Sequence, residues 1–152
     1  MRSIICLLLS ATLLISCKKE AFVHPEYIVF GAIQGDCANG CRFVYYLDET
    51  SLKQDPTVKY FSTSDLSAFS NTLAGDKFLL AKDLLKMVPV ELTKTNRTLF
   101  VDLNASNPNL WYAEIKLKGR TFTWTFDNSP GSTPSYLKPL ADEVIRVSAS
   151  LQ

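Results

Sequence analysis

WYAEIKLKGRTFTWTF, residues 111–126, contains two runs of alternating apolar and polar residues on either side of Lys118-Gly119. Because successive side chains of a strand point to opposite faces, each run predicts a strand with one buried face. The apolar positions are Trp111, Ala113, Ile115 and Leu117 in the first run and Phe122, Trp124 and Phe126 in the second. Lys118-Gly119 then forms the turn of a hairpin, and the two apolar faces line one core.

Other segments predict further strands. Tyr27-Ile28-Val29-Phe30 is β-branched and aromatic, and residues 42–48 place Phe43, Tyr45 and Leu47 on one face. The glycines and asparagine of residues 35–41 permit a tight connection between these two strands, which predicts a second hairpin. The alternation in residues 99–103 predicts another strand.

Three segments have helical spacing. Leu66, Phe69 and Leu73 are three and four residues apart and precede Gly75, which predicts a first helix that ends there. A second helix, capped by Asp76, is predicted to end near Met87 because Pro89 disfavours helical geometry at Val88. Its apolar stripe consists of Phe78, Ala81, Leu84, Leu85 and Val88. The stripe of a C-terminal helix consists of Leu140, Val144, Val147 and Leu151.

The order of these elements predicts the fold class. Strands in hairpins, mixed with a few helices, are typical of an α+β domain, and no repeat or second domain is evident. We expect an antiparallel β-sheet with the helices packed on one face, as a single globular domain over residues 26–152.

The N-terminus has the pattern of a lipoprotein signal peptide. Arg2 precedes an apolar segment that is too short to span a bilayer, and Leu14-Ile15-Ser16-Cys17 resembles the lipobox at which bacterial lipoproteins are cleaved and acylated. We therefore expect residues 1–16 to be removed and Cys17 to carry palmitate-type acyl chains. Residues 17–25 would be the lipidated cysteine and a short tether.

Charge excludes one class of partner. The chain has 16 basic and 15 acidic side chains, and removal of Arg2 with the signal peptide leaves a net charge of zero. This balance argues against a nucleic-acid partner and against electrostatic binding to lipid by the domain as a whole. By analogy with other bacterial lipoproteins, Lys18-Lys19 after the acylated cysteine favours the outer membrane, with the periplasmic or surface side left open.

Cys37 and Cys41 are the cysteines of the predicted domain. In an oxidising compartment, two cysteines four positions apart predict a structural disulfide. A redox-active dithiol is one alternative, although thioredoxin-type motifs have two intervening residues. A zinc site is another, and it would need His24, Asp36 or Glu26 to complete it. We expect neither a metal nor another cofactor.

No catalytic signature stands out. His24, the single histidine, lies in the predicted tether, and no serine has the spacing of a nucleophile elbow. We expect no catalytic residues. Tyr45, Tyr46 and Tyr112 cannot all face the core if neighbouring residues alternate, so Tyr46 and Tyr112 are candidate binding residues for a partner protein or a glycan.

The chain resembles small lipoproteins of Bacteroidota-type bacteria that have no assigned activity. The resemblance rests on the lipobox, on Gly35-Asp36-Cys37-Ala38-Asn39-Gly40-Cys41, on residues 80–85 with Pro89, and on residues 111–115 and 134–140. Some members carry a further cysteine pair before the second hairpin, but residues 104–110 contain none.

The sequence therefore predicts a membrane-anchored, non-enzymatic binding domain of the cell envelope. One alternative is a thiol-redox or metal-dependent enzyme that uses Cys37 and Cys41. The other is a protease-inhibitor-like protein that uses loop 35–41 or loop 128–134.

Overall fold

The computed structural model describes residues 22–33, 42–56, 66–102, 110–127, 129 and 131–152. Cys17, Cys37 and Cys41, and with them the predicted lipidation and disulfide, lie outside these residues. The strands are β1 (Phe22–Val23), β2 (Tyr27–Ile33), β3 (Arg42–Leu47), β4 (Leu52–Gln54), β5 (Asn71–Thr72), β6 (Val88–Pro89), β7 (Leu99–Phe100), β8 (Leu110–Leu117) and β9 (Arg120–Phe126).

Seven strands form one sheet in the order β5-β4-β3-β2-β8-β9-β7, and β1 pairs separately with β6. Both predicted hairpins are confirmed: β2 pairs antiparallel with β3, and β8 with β9. β2 also pairs antiparallel with β8, which places it at the centre of the sheet. Only the pairing of β7 with β9 is parallel among the strands of the described residues.

In the described parts of the chain, the helical elements are α1 (Gly75–Ala81), α2 (Lys138–Leu151) and three 3₁₀ helices at Leu66–Ala68, Lys82–Lys86 and Val90–Thr93. The predicted C-terminal helix is confirmed as α2, with Pro139 in its first turn. Among the described residues, no helix has the length and hydropathy needed to cross a bilayer.

The predicted helix from Leu66 to Leu73 is wrong. Leu66–Ala68 form one 3₁₀ turn, and Asn71–Thr72 then pair with β4. The backbone N–H of Leu73 donates to the carbonyl of Leu52 at 2.9 Å. These bonds to a distant strand take the place of helical hydrogen bonds.

The second helical segment differs from the prediction at its N-cap and in its helix type. Ala74, not Asp76, occupies the N-cap position, and the α-helix gives way to a 3₁₀ helix at Lys82. Val88 belongs to β6 rather than to the helical stripe. The helical segment ends at Lys86, which agrees with the predicted end near Met87.

Both helices pack on one face of the sheet, which confirms the α+β architecture. The core between these layers contains the predicted apolar faces of both hairpins. Its largest fully buried members include Trp124, Tyr45, Phe30, Phe100, Phe126, Ile28, Leu47 and Ile115.

Gly31 permits the close approach of β2 and β3. A Cβ atom at this position would overlap the carbonyl oxygen of Phe43 and would lie 2.9 Å from the Cα of Val44. Because both neighbours are backbone atoms of the paired strand, the strands could accept a side chain only by moving apart.

The fold begins earlier than the predicted boundary at residue 26. Phe22 pairs with Pro89 and Val23 with Val88, and Pro25 is buried. Residues 22–25, which we assigned to the tether, are therefore in contact with the body of the fold.

Candidate functional site

The face of the sheet opposite the helices is also partly covered. Tyr27 and Val29 from β2, Val44 from β3 and Phe69 form a second buried cluster, against which Tyr46, Leu66, Ala68 and Tyr112 pack. The expectation that β8 has only one buried face is therefore wrong. We call this cluster, together with Glu114, the tyrosine face.

Glu114 lies within the tyrosine face and is fully buried. Its two carboxylate oxygens accept hydrogen bonds from the Tyr27 hydroxyl at 3.2 Å and from the Tyr112 hydroxyl at 2.6 Å. Strand register brings these side chains together. Glu114 pairs with Val29, which is two residues from Tyr27 on β2. Tyr112 precedes Glu114 by two residues on β8 and therefore lies on the same face. Hydrogen bonds to the carboxylate compensate part of the cost of burying it.

Both hydroxyls are held in the neutral, donating form. Burial, reinforced by the nearby Glu114 carboxylate, raises the pKa of Tyr27 to about 12. Burial and the hydrogen bond to Glu114 also raise the pKa of Tyr112 well above its ordinary value. At neutral pH these tyrosines therefore act as hydrogen-bond donors rather than as bases or nucleophiles.

Tyr46 and Tyr112 share the tyrosine face, and each is partly exposed. The Tyr46 ring centroid lies 5.3 Å from that of Tyr27 and 5.7 Å from that of Phe69, and the Lys53 ammonium lies 5.7 Å above it. Burial and the Asp48 carboxylate raise the pKa of Tyr46. Both side chains thus have internal contacts, and their role in binding stays a prediction.

A second polar cluster surrounds Asp127, which is 1% exposed. Its carboxylate accepts hydrogen bonds from Ser132 Oγ, from the Asp102 N–H at 2.7 Å and from the Ser129 N–H at 3.0 Å. Burial would raise the pKa of Asp127, but these donors lower it. A cavity of about 280 Å³ lies between this turn and α2, with Lys138 and Asp142 on its wall. The carboxylate therefore has donors both from its own turn and from the segment after β7.

A third feature is a groove of about 400 Å³ between β1, the Val90–Thr93 helix and the β8–β9 turn. Val23, Val90, Leu117 and Phe122 contribute its apolar lining, and His24, Lys118 and Arg120 contribute its charged or titratable lining. We call this feature the turn groove. His24 Nε2 lies 3.0 Å from Glu49 Oε1, and both side chains are largely exposed.

No cluster of three or more potential metal-ligating His, Cys, Asp or Glu side chains occurs within the described part of the chain. Asp48, in the connection between β3 and β4, accepts hydrogen bonds from the backbone and side chains of Thr50 and Ser51.

Comparison with known proteins finds no matching family model, no matching curated protein and no matching solved structure.

The sequence analysis missed Tyr27 and Glu114 as members of a buried polar cluster. One signal could have indicated it. Tyr27-Ile28-Val29-Phe30 is apolar on both faces of the strand, which is typical of a central strand covered on both sides. A polar residue on a neighbouring strand could then be expected to need partners.

Proposed function

We propose that this protein is a lipoprotein of the bacterial cell envelope, anchored through Cys17 to the outer membrane. Its domain would bind a partner protein or a glycan without catalysing a reaction. The single observation that carries the anchor is the lipobox Leu14-Ile15-Ser16-Cys17 after a short apolar segment. Each methylene buried by an acyl chain adds about 0.8 kcal/mol, so two or more chains give stable attachment.

The tyrosine face supports the binding role. Tyr46 exposes part of an aromatic ring that its neighbours Tyr27 and Phe69 hold in place, and Lys53 adds a cation beside it. Aromatic side chains that are already ordered contribute contact area at a small entropic cost, and they are enriched at the centres of interfaces. The same arrangement would suit stacking against a sugar ring.

The anchor is tested by growing cells with an alkyne-labelled palmitate analogue. The parent protein should become labelled and sediment with membranes, and Cys17→Ser should lose the label and remain as the longer precursor. Cys6→Ser is the matched control, because it removes a thiol from the signal peptide and should leave labelling intact. A parent protein without fatty acid would overturn the anchor.

The binding role is tested with a photoreactive amino acid at position 53, beside Tyr46, and at position 99 as control. Leu99 is 46% exposed and lies on β7, at the opposite edge of the sheet from β4. A partner should cross-link from position 53 but not from 99, and excess unlabelled protein should compete. Sedimentation with purified peptidoglycan covers the glycan case. Equal cross-linking from both positions, without sedimentation, would contradict this role.

A further inference from the structure

The turn groove combines an apolar floor with cations at its rim. Lys118 is exposed at the tip of the hairpin, and the Arg120 guanidinium lies 5.0 Å from the centre of the Phe122 ring. Neither cation forms an ion pair with a carboxylate of the described residues. Such a surface, apolar inside and basic outside, is typical of protein regions that rest on lipid headgroups.

Three acidic side chains lie near the turn groove, and none of them forms an ion pair with Lys118 or Arg120 among the described residues. Glu26 accepts a hydrogen bond from the Gly119 N–H at 3.2 Å and lies 3.9 Å from Lys116 Nζ. Glu49 Oε1 lies 3.0 Å from His24 Nε2, and both side chains are largely exposed. Glu91, on the neighbouring 3₁₀ helix, is exposed. Lys118 and Arg120, which have no ion-pair partner within the described ranges, are therefore the cations that a ligand at the β8–β9 turn would meet.

Chain length limits how far the turn groove can lie from the anchor. Only four residues separate Cys17 from Phe22, so their Cα atoms can be at most about 18 Å apart. Phe22 is 48% exposed and directly precedes Val23, which lines the groove. An acylated Cys17 would thus hold this end of the domain close to the bilayer.

Lys118 has an unfavourable backbone conformation for a lysine. Its φ is 51°, and with Gly119 at 73° it forms a turn in which Asn-Gly is the favoured pair. An L-residue with a Cβ pays for this conformation in stability. Lysine at position 118 therefore lowers the stability of the fold relative to asparagine, which tolerates a positive φ better.

We infer that the turn groove docks on the anionic lipid headgroups of the membrane that anchors the protein. This inference rests on the proposed lipidation of Cys17. The mature chain has no net charge to attract it to a membrane from solution, but a short tether raises the local concentration of headgroups, so that a small basic patch suffices. Docking fixes the orientation of the domain and turns the tyrosine face in a defined direction.

The test uses the lipidated protein purified from cells and reconstituted into two kinds of vesicle, neutral phosphatidylcholine and phosphatidylcholine mixed with phosphatidylglycerol. Acylation of Lys118 by an amine reagent and amide hydrogen exchange of residues 117–122 are followed by mass spectrometry. In anionic vesicles both should slow several-fold relative to neutral vesicles, and added salt should reverse the effect. The amides of α1 should exchange at the same rate in both.

Two variants separate docking from general charge effects. Arg120→Glu should reduce the protection of Lys118 and of the amides of residues 117–122 by about fivefold or more. Each basic side chain near an anionic surface changes the binding equilibrium by a factor of that size. Lys82→Glu makes the same change in charge on the helix layer and should retain the protection. Thermal unfolding of both variants confirms that they are folded.

The outcomes distinguish the inference from the proposed function. Acylated protein whose turn reacts equally in both vesicles would overturn docking and leave the anchor standing. Protein without acyl chains would overturn both. Loss of protection in Lys82→Glu to the same extent as in Arg120→Glu would also overturn docking at the turn groove.

Discussion

The Tyr112 hydroxyl donates to the carboxylate of Glu114 at 2.6 Å, two residues further along the same strand. This bond lies on the side of the sheet away from the helices. Glu114 is fully buried there, although the alternation of apolar and polar residues along β8 predicts an exposed side chain at this position. A charged acceptor that has been removed from water depends on its remaining donors. We therefore expect the hydrogen bond between Tyr112 and Glu114 to contribute to the stability of the whole fold.

Tyr112→Phe should lower the free energy of unfolding by about 1.5–3 kcal/mol, the usual effect of removing a hydrogen bond to a charged group. Chemical denaturation measures it. Tyr45→Phe is the matched control: Tyr45 is fully buried, and its hydroxyl has no hydrogen-bond partner in the described part of the chain. That variant should be neutral or slightly stabilising. Equal losses of unfolding free energy in the two variants would show that the hydrogen bond to Glu114 does not stabilise the fold.

The raised pKa of Tyr27 predicts sensitivity to alkali. The hydroxyl ionises near pH 10.0 in an unfolded chain but near pH 12 in the fold. Between these values only the unfolded chain loses this proton, so the free energy of unfolding should fall as the pH rises, by up to about 1.4 kcal/mol per pH unit. Below pH 10 the contribution is complete. Tyr27→Phe should flatten the decline in denaturation experiments, and an unchanged slope would refute the assignment.

Gly31→Ala should destabilise the protein by about 1–3 kcal/mol or more, because the new Cβ meets backbone atoms of β3 that can move only with the strand. Gly75→Ala is the control, since a Cβ there meets nothing within 4 Å at the start of α1. It should stabilise by up to about 1 kcal/mol. Similar midpoints of thermal unfolding for the two variants would argue against the close approach of β2 and β3.

The sequence predicted the parts of the fold that depend on local pattern. Alternation around Lys118-Gly119 was sufficient for the β8–β9 hairpin, since a two-residue turn fixes its register. It could not predict that β2 pairs with β8, because more than seventy residues separate these strands along the chain. The helix predicted at Leu66 failed for the same reason, as the long-range bond from Leu73 to Leu52 outweighs a local spacing of three and four.

The candidate site was predicted only in part. Strand periodicity indicated that Tyr45, Tyr46 and Tyr112 cannot all face the core, and the structure places Tyr46 and Tyr112 in the tyrosine face, where their role in binding stays a prediction. Their contacts could not be predicted, because Phe69 reaches Tyr46 from another segment and Glu114 meets Tyr27 only through the pairing of β2 with β8. Nor does any local pattern bring His24 next to Glu49, or Arg120 into the same groove as Val23.

The predicted disulfide between Cys37 and Cys41 is tested by counting thiols. Protein purified from the envelope without reductant should have no free thiol after denaturation, because Cys6 is removed and Cys17 is acylated. Replacing both cysteines with serine should cost at most about 2 kcal/mol, the entropic value of so small a loop. Two free thiols of low pKa that reduce a disulfide substrate would instead favour the redox alternative.

Lys118→Asn should raise the free energy of unfolding by about 0.5–1 kcal/mol, because asparagine tolerates a positive φ that lysine adopts only with strain. Lys82→Asn makes the same chemical change at a residue with ordinary helical angles, φ −54° and ψ −29°. There it should give no gain, since asparagine is a weaker helix former than lysine. Denaturant titrations of the two variants decide the matter: a gain at position 118 alone identifies backbone strain, whereas a gain at both positions would trace it to the removal of a positive charge.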